Sequence, residues 1–218
     1  SLQQWIDSKK ALLTSEELGD TIAIIQTNLS NLEAFYGDYQ AQQSKLTGLA
    51  ELKDKIVEAK YGDADSIVSS YGAVEQSYCA LQGAHDTKKQ QLEERLALFQ
   101  QIEAWLLEYA KLALAFARWT EDATDTLSEP IAAEFVEDVD KLKAELATFA
   151  GQIDAKEGEV TAINNSANQL KQHNKKENIY SEYPVDDINN RFAAVKALVT
   201  SRGQELDAEH AKQSNHEE

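Results

Sequence analysis

A long run of spacings that alternate between four and three residues occupies the centre of this chain, and it limits the fold more than any other feature. The run extends over residues 67–116, and neither Gly nor Pro occurs between Gly83 and Pro130. Positions spaced in this way lie on one face of an α-helix, so the pattern predicts a single helix over about residues 66–127. At about 1.5 Å per residue this helix would be roughly 90 Å long, which predicts an elongated rod.

The same alternation predicts four further helices. The first covers residues 2–13, and the last covers 188–206. Ser15 is the predicted N-cap of the second helix, which ends near residue 59. Ser128 is the predicted N-cap of the fourth helix, with Pro130 in its first turn. The 9 Gly and 2 Pro of the 218 residues amount to about 5%, against about 12% on average. Sandwiches, barrels and doubly wound sheets need more turns than this composition supplies, so the predicted fold class is all-α.

The charge balance excludes several classes of partner. Lys and Arg number 21 against 38 Asp and Glu, which gives a net charge of −17. Nucleic acids and anionic lipid surfaces need clustered basic residues, so neither is expected to bind. No stretch approaches the roughly 18 apolar residues of a membrane-spanning helix, so no membrane insertion is expected. The single cysteine, Cys79, cannot form an internal disulfide and favours a reducing compartment.

The helices repeat along the chain, each unit having one short and two long helices. Three offsets align the paired helices: 114 for Trp5 and Trp119, 117 for Ile25 and Leu142, and 121 for Tyr71 and Phe192. We therefore predict two tandem three-helix bundles, 1–109 with a truncated first helix and 110–218, joined by a continuous helix. The drift in offset is expected to lie in the loops, since the polar loop 173–183 is longer than the turn at 61–66.

The two first helices carry a shared motif, an apolar residue three positions before a tryptophan, in segments 2–5 and 116–119. With a period near 115 residues, three heptad helices per unit and a helical linker, this motif resembles the spectrin repeat. The repeat length, and the sequence from Asn178 to Leu206, resemble the rod domain of α-actinin. The resemblance implies an aromatic core residue in the first and third helix of each repeat, namely Trp5, Tyr71, Trp119 and Phe192, although the third helix of the family often carries Trp.

The resemblance also implies a function. The chain would be a structural rod that forms an antiparallel homodimer and spaces the actin-binding ends of an F-actin cross-linker in the cytoplasmic cytoskeleton. F-actin would bind through domains absent from this sequence, which begins without a start Met and looks like a piece of a longer protein. It could be half of a four-repeat rod, but we favour the whole rod of a short, two-repeat α-actinin. The alternative is a monomeric, spectrin-like spacer or docking platform for cytoskeletal proteins.

Surplus apolar residues near the middle of the chain are candidates for the dimer interface. Between residues 96 and 116 several apolar side chains lie off the predicted core face, and we take four of them as candidates: Leu98, Trp105, Leu107 and Leu114. A helix that is apolar on several sides is buried on several sides. Loops of the adjoining repeats could cover these residues, and so could a partner chain, because the two-fold axis of an antiparallel dimer would fall near residue 109.

The chain shows no pattern that is typical of catalysis, metal binding or a cofactor. Of the four histidines, His85 falls on the core face, and His173, His210 and His216 have no second ligand at metal spacing. Asp63 and Asp65 begin like a calcium loop, but oxygen ligands are missing at its fifth and twelfth positions. Cys79 is interpreted as an inert thiol. We therefore predict no enzyme activity, no metal and no cofactor.

Overall fold

Five α-helices make up the computed structural model, which describes residues 1–215. They are α1 (Leu2–Thr14), α2 (Ile22–Glu58), α3 (Ala64–Ser128), α4 (Val136–Gln172) and α5 (Val185–Ser214). No strand occurs within residues 1–215, which confirms the all-α class. His216 lies outside the described residues.

The long central helix is present as predicted. α3 contains 65 residues without interruption, and its ends lie within two residues of those expected from the sequence. Continuity follows from the lack of Gly and Pro after Gly83, because a proline within a helix removes one hydrogen bond and clashes with the preceding turn. The helix ends at Ser128, two residues before Pro130, as the restriction on the residue that precedes a proline requires.

Two compact units divide the chain. Unit 1 is Ser1–Gln101 and unit 2 is Ile102–Glu218. Unit 1 contains α1, α2 and the first part of α3, whereas unit 2 contains the rest of α3 with α4 and α5. The boundary that the sequence suggested, between residues 109 and 110, lies eight residues further along α3 and stays a prediction.

Three helices contribute to the core of unit 1. The buried residues of this core are Ile6 and Leu13 from α1, Ile25, Leu32, Phe35 and Leu46 from α2, and Tyr78, Leu81 and Leu92 from α3. The Tyr78 hydroxyl donates a hydrogen bond of 2.5 Å to the carbonyl oxygen of Tyr39, which satisfies the one polar atom that this ring brings into the core. Buried residues at helical spacing on α1, α2 and α3 thus form the core of a three-helix unit.

Unit 2 is built in the same way. Its buried residues include Tyr109, Ala113, Phe116 and Ala117 from α3, Val160, Ile163, Ala167 and Leu170 from α4, and Ile188 and Phe192 from α5. A smaller cluster continues the core with Ala123, Leu127 and Val195. The two tandem three-helix units predicted from the sequence are therefore confirmed.

The predicted start of the second helix was wrong. Ser15 does not cap α2; its hydroxyl accepts a hydrogen bond from the Glu17 amide, and α2 begins at Ile22 after an N-cap formed by Thr21. Gly19 explains the delay because its φ of +104° lies outside the helical range. A Cβ atom at Gly19 would also stand 2.8 Å from Cγ2 of Ile24, so this position needs glycine.

The predicted start of the fourth helix was also wrong. Ser128 is the last residue of α3, and Pro130 lies in the segment before α4 rather than in its first turn. Oδ2 of Asp138 accepts the amide hydrogens of Glu134 and Phe135, at 3.3 and 3.2 Å. A carboxylate in the first turn also interacts favourably with the positive end of the helix dipole, and this places the start of α4 at Val136.

The offset between α2 and α4 is 114 residues, and the offset of 117 drawn from the sequence was wrong. Both helices contain 37 residues, and the fully buried Ile25 of α2 corresponds to the fully buried Val139 of α4. Three residues are nearly one helical turn, so an apolar pattern matches almost as well at either offset. The rise from 114 to 121 lies entirely in the loops, because the α4–α5 loop, 173–184, is seven residues longer than the α2–α3 loop, 59–63.

The continuity of α3 can be tested with Ala110→Pro. Proline removes the amide that bonds the carbonyl of Leu106 and clashes with the preceding turn, so unfolding should become easier by about 3 kcal/mol. Urea unfolding followed by circular dichroism measures the change. Ala110→Ser keeps the amide and should cost less than about 1 kcal/mol. A proline variant as stable as the serine variant would contradict an unbroken helix.

Candidate interaction surfaces

The aromatic residues predicted for the core of unit 1 lie at its edge. Trp5 is half-buried and stacks on Phe35, with ring centroids 6.0 Å apart and planes 11° from parallel. Tyr71 is also half-buried, and the ammonium group of Lys53 stands 4.8 Å from the centre of its ring. The fully buried neighbour of Trp5 is Ile6.

Unit 2 repeats the tryptophan contact at the offset of 114. Trp119 stacks on Phe149, with centroids 6.1 Å apart and planes 4° from parallel. Phe192 is buried and meets Phe116 edge-on at 5.6 Å. The two tryptophans therefore make the same stacking contact, with Phe35 and Phe149, and both are partly exposed.

Two cationic side chains of α3 bind the connection between α1 and α2. The ammonium group of Lys88 donates to the carbonyl oxygens of Ser15 and Glu17, and Nε of Arg95 donates to the carbonyl of Gly19. Lys88 is only 6% exposed, and this burial lowers its pKa. These hydrogen bonds satisfy carbonyl groups that the non-helical connection leaves without helical partners.

A groove on unit 1 runs between this connection and α3. Its apolar walls include Leu13, Leu18, Ala84 and Leu98, and its charged residues are Glu16, Lys88, Glu94 and Arg95. Leu98, one of the predicted interface residues, is 41% exposed. We call this surface the unit 1 groove.

On unit 2, hydrogen bonds attach the α4–α5 loop to α3. The Asn178 side-chain amide donates to the carbonyl of Leu106 at 2.7 Å, and the Tyr180 hydroxyl donates to the Glu103 carboxylate at 2.7 Å. Further along the loop, the carbonyl oxygen of Tyr183 accepts a hydrogen bond of 2.8 Å from the hydroxyl of Tyr109 on α3. The loop is therefore fixed on α3 at three points.

One apolar residue of this loop points away from the core. Ile179, between the two anchors Asn178 and Tyr180, is 84% exposed. The sequence did not suggest this residue for an interface, because a lone apolar residue in a polar loop has no periodic pattern to reveal it. At the start of the loop the His173 ring lies 5.2 Å from the Trp105 ring and covers part of it.

The predicted interface residues of unit 2 do not share one face of α3. Leu107 and Leu114 are 50% and 39% exposed, and their spacing of seven residues puts them on one side of the helix. Trp105 precedes Leu107 by two residues and therefore lies on another side, where His173 contacts it. Leu107 and Leu114 form the exposed apolar stripe of unit 2.

The buried histidine of unit 1 takes part in packing contacts. His85 is buried, its ring stacks on Tyr36 at 4.7 Å, and its Nδ1 lies 2.9 Å from the Asp86 carboxylate.

Cys79 is a free, exposed thiol. Among residues 1–215 there is no group of three or more His, Cys, Asp or Glu side chains placed to hold a metal ion. Nor does any helix in the described part of the chain have the length and apolar character to cross a membrane.

The comparison with known proteins agrees with the two units. The family model "Spectrin repeat" matches residues 1–94 and 104–208. Over 99% of its length the chain is 27% identical to Alpha-actinin A of Dictyostelium discoideum and 26% identical to Alpha-actinin-1 of Homo sapiens. It is also 26% identical, over 97% of its length, to Spectrin alpha chain, erythrocytic 1 of Mus musculus. The chain spans 25% of the two α-actinins and 9% of the spectrin chain.

The tryptophan stack in unit 2 can be tested with Trp119→Ala. Removing this half-buried ring should lower the free energy of unfolding by about 3 kcal/mol, the lower end of the range for Trp→Ala. Urea denaturation monitored by circular dichroism measures it. Trp119→Phe keeps a ring against Phe149 and should lose about half as much. A loss below about 1 kcal/mol in the alanine variant would show that the ring does not stabilise the unit.

The burial and hydrogen bond of Tyr109 should affect how the free energy of unfolding changes at alkaline pH. Burial, together with nearby Asp186 and Asp187, raises the pKa of Tyr109 to about 12, so the folded protein favours the neutral phenol. Above pH about 10 the unfolded chain ionises first, and stability falls as the pH rises towards 12. Tyr109→Phe should cost about 1 kcal/mol at neutral pH.

The same variant should also lose less stability than the wild type between pH 10 and pH 12. Urea unfolding in a pH series measures both effects. Tyr61→Phe, at an exposed ring, serves as the control and should follow the wild type. Parallel curves for the wild type and Tyr109→Phe would contradict the assigned role.

Proposed function

Because the chain belongs to the spectrin repeat family, with both of its units matched, we propose that it is a structural rod segment that pairs with a second copy in antiparallel orientation. The observation that carries this proposal is the similarity to α-actinins over 99% of the chain. In this role the pair spaces the two actin-binding ends of an F-actin cross-linker, and those ends belong to parts of the protein outside this sequence. The place of action is the cytoplasmic cytoskeleton.

The exposed leucines of α3 support self-association. Leu107 and Leu114 present an apolar stripe on unit 2, and Leu98 lines the unit 1 groove. Trp105 contributes its uncovered edge. Pairing unit 1 with the partner's unit 2 puts the two-fold axis at the boundary between residues 101 and 102, within six residues of Leu98, Trp105 and Leu107, and Leu114 lies one heptad beyond Leu107. A closed two-fold contact uses each patch twice and stops at two chains.

The charge of the chain requires that apolar contacts drive this pairing. Each copy carries −17, and neither half of the sequence is positive, so attraction between opposite ends is absent. Salt screens the repulsion between copies and leaves burial of apolar surface unaffected or strengthened. The dimer is therefore expected to tighten as ionic strength rises.

The role is structural rather than enzymatic. The buried polar groups described above serve packing: His85 stacks on Tyr36, Lys88 binds backbone carbonyls, and Tyr109 fixes the α4–α5 loop. The function proposed for the chain needs no cofactor. Its partners are a second copy and, through other domains, F-actin.

A monomeric spacer or docking platform is the alternative. The similarity to a spectrin α chain supports it, since that protein is about as similar to this chain as the α-actinins are. Self-association distinguishes the two functions, because a spacer needs no second copy of itself.

Sedimentation equilibrium at micromolar concentration tests the pairing. The chain of 24.3 kDa should sediment at twice that mass, and Leu107→Asp with Leu114→Asp should weaken the dimer by at least about tenfold, because both charges would be buried in the interface. Leu52→Asp, at an exposed position of α2, is the matched control and should dimerise normally. A wild-type monomer would reject the dimer and favour the spacer.

Orientation is a separate measurement. In an antiparallel pair, a donor dye near residue 1 of one copy and an acceptor near residue 210 of the other should lie close enough for strong energy transfer. Two dyes near residue 1 of both copies should transfer little. The reverse result would mean parallel pairing and would rule out the proposed spacing of opposite ends.

A further inference from the structure

The α4–α5 loop holds Ile179 in a fixed, exposed position. Its two neighbours, Asn178 and Tyr180, both hydrogen-bond to α3, and the Tyr180 amide also donates to Oδ1 of Asn178 at 2.9 Å. Because the loop on both sides of Ile179 is already held in place, little backbone entropy is lost when this residue binds. Ile179 is therefore prepared to enter an apolar site on another molecule.

The unit 1 groove has the properties such a site requires. Leucines from α1, from the α1–α2 connection and from α3 line it, and Leu98 remains 41% exposed at its wall. Lys88 and Arg95 tie the opposite wall to α3 through backbone carbonyls. The groove is thus a fixed surface that offers apolar area to an incoming aliphatic side chain.

The position of both features on α3 suggests that they meet in a dimer. The groove involves α3 residues up to Leu98, three positions before the end of unit 1, and the loop is fixed to Glu103 and Leu106, shortly after the start of unit 2. An antiparallel pair with its axis at this boundary brings residues before it in one copy level with residues after it in the other. The groove of one copy then lies level with the loop of its partner.

Local charge also permits the contact. The loop carries two lysines and two glutamates, and the groove carries Lys88 and Arg95 against Glu16 and Glu94. Both surfaces are therefore close to neutral, although each chain carries −17. Two such surfaces can approach without the repulsion that the acidic remainder of the chain would produce.

We propose that Ile179 of one copy inserts into the unit 1 groove of a second copy, beside Leu98, and that the two-fold axis repeats the contact. The proposal rests on the antiparallel pairing proposed above and identifies a contact that fixes its alignment. Each dimer contains two such insertions, so a single substitution removes both.

Ile179→Asp tests the energetic part of the proposal. The variant should fold and melt like the wild type, because the side chain is exposed in the single chain. Its dimer dissociation constant should rise by about 100-fold, since an apolar anchor at each of two sites is replaced by a charge. Tyr61→Asp, in the corresponding loop of unit 1 and 71% exposed, is the matched control and should leave dimerisation unchanged.

A cysteine cross-link tests the geometry. In a Cys79→Ser background, chains carrying Ile179→Cys and differently tagged chains carrying Leu98→Cys are mixed and oxidised. A disulfide between the two kinds of chain requires Cβ atoms about 4 Å apart, and it should form in high yield. Ile179→Cys mixed with Leu52→Cys should not cross-link.

The outcomes separate this contact from the dimer itself. A wild-type chain that is monomeric in sedimentation overturns both the pairing and the insertion. A wild-type dimer in which Ile179→Asp dimerises like Tyr61→Asp, and in which no cross-link to residue 98 forms, overturns the insertion and leaves the pairing intact. A cross-link together with the loss of dimerisation supports both.

Discussion

A single helix that contributes to two cores is the constraint on which the rest of the structure depends. α3 supplies Tyr78, Leu81 and Leu92 to unit 1 and Tyr109, Ala113 and Phe116 to unit 2. Because an α-helix has a fixed rise and rotation per residue, each apolar position on α3 determines which side of the helix the other helices of its unit must cover. Any difference in length between the two units must therefore lie in the connections between helices, which are 15–21, 59–63, 129–135 and 173–184.

Periodicity predicts which segments are helical far better than where they begin. The span of α3 could be predicted to within two residues, because no Gly or Pro interrupts its pattern after Gly83. The starts of α2 and α4 could not, since Gly19 with positive φ and the capping carboxylate of Asp138 act through local backbone geometry. The offset of 117 failed for a related reason: a spacing of three and four is almost unchanged by a shift of one turn. The helix bounds, the burial of Ile25 and Val139 and the two tryptophan stacks distinguish 114 from 117.

The exposed surfaces show the same difference between features that helical periodicity predicts and features that depend on local geometry. Leu107 and Leu114 could be found from the sequence because they depart from the core face of a helix whose phase is known. Trp105 departs from that face as well, but His173 covers part of it, and this contact joins residues from separate elements. Ile179 could not be found, because its exposure depends on hydrogen bonds between residues 72 to 77 positions apart. Sequence periodicity describes the faces of a helix and says little about the loops that pack on them.

The large negative charge gives these few apolar surfaces their importance. Two copies that each carry −17 repel one another along most of their length. The proposed association therefore depends on places where apolar area is exposed and local charge is balanced, as at the unit 1 groove and the α4–α5 loop. In the proposed dimer, a shift of one heptad would move each Ile179 about 10 Å along the partner's α3, from Leu98 to the level of Gln91 or Trp105. The acidic surface that opposes association elsewhere would disfavour alignments that separate the groove from the loop, and these two nearly neutral surfaces would favour a single alignment.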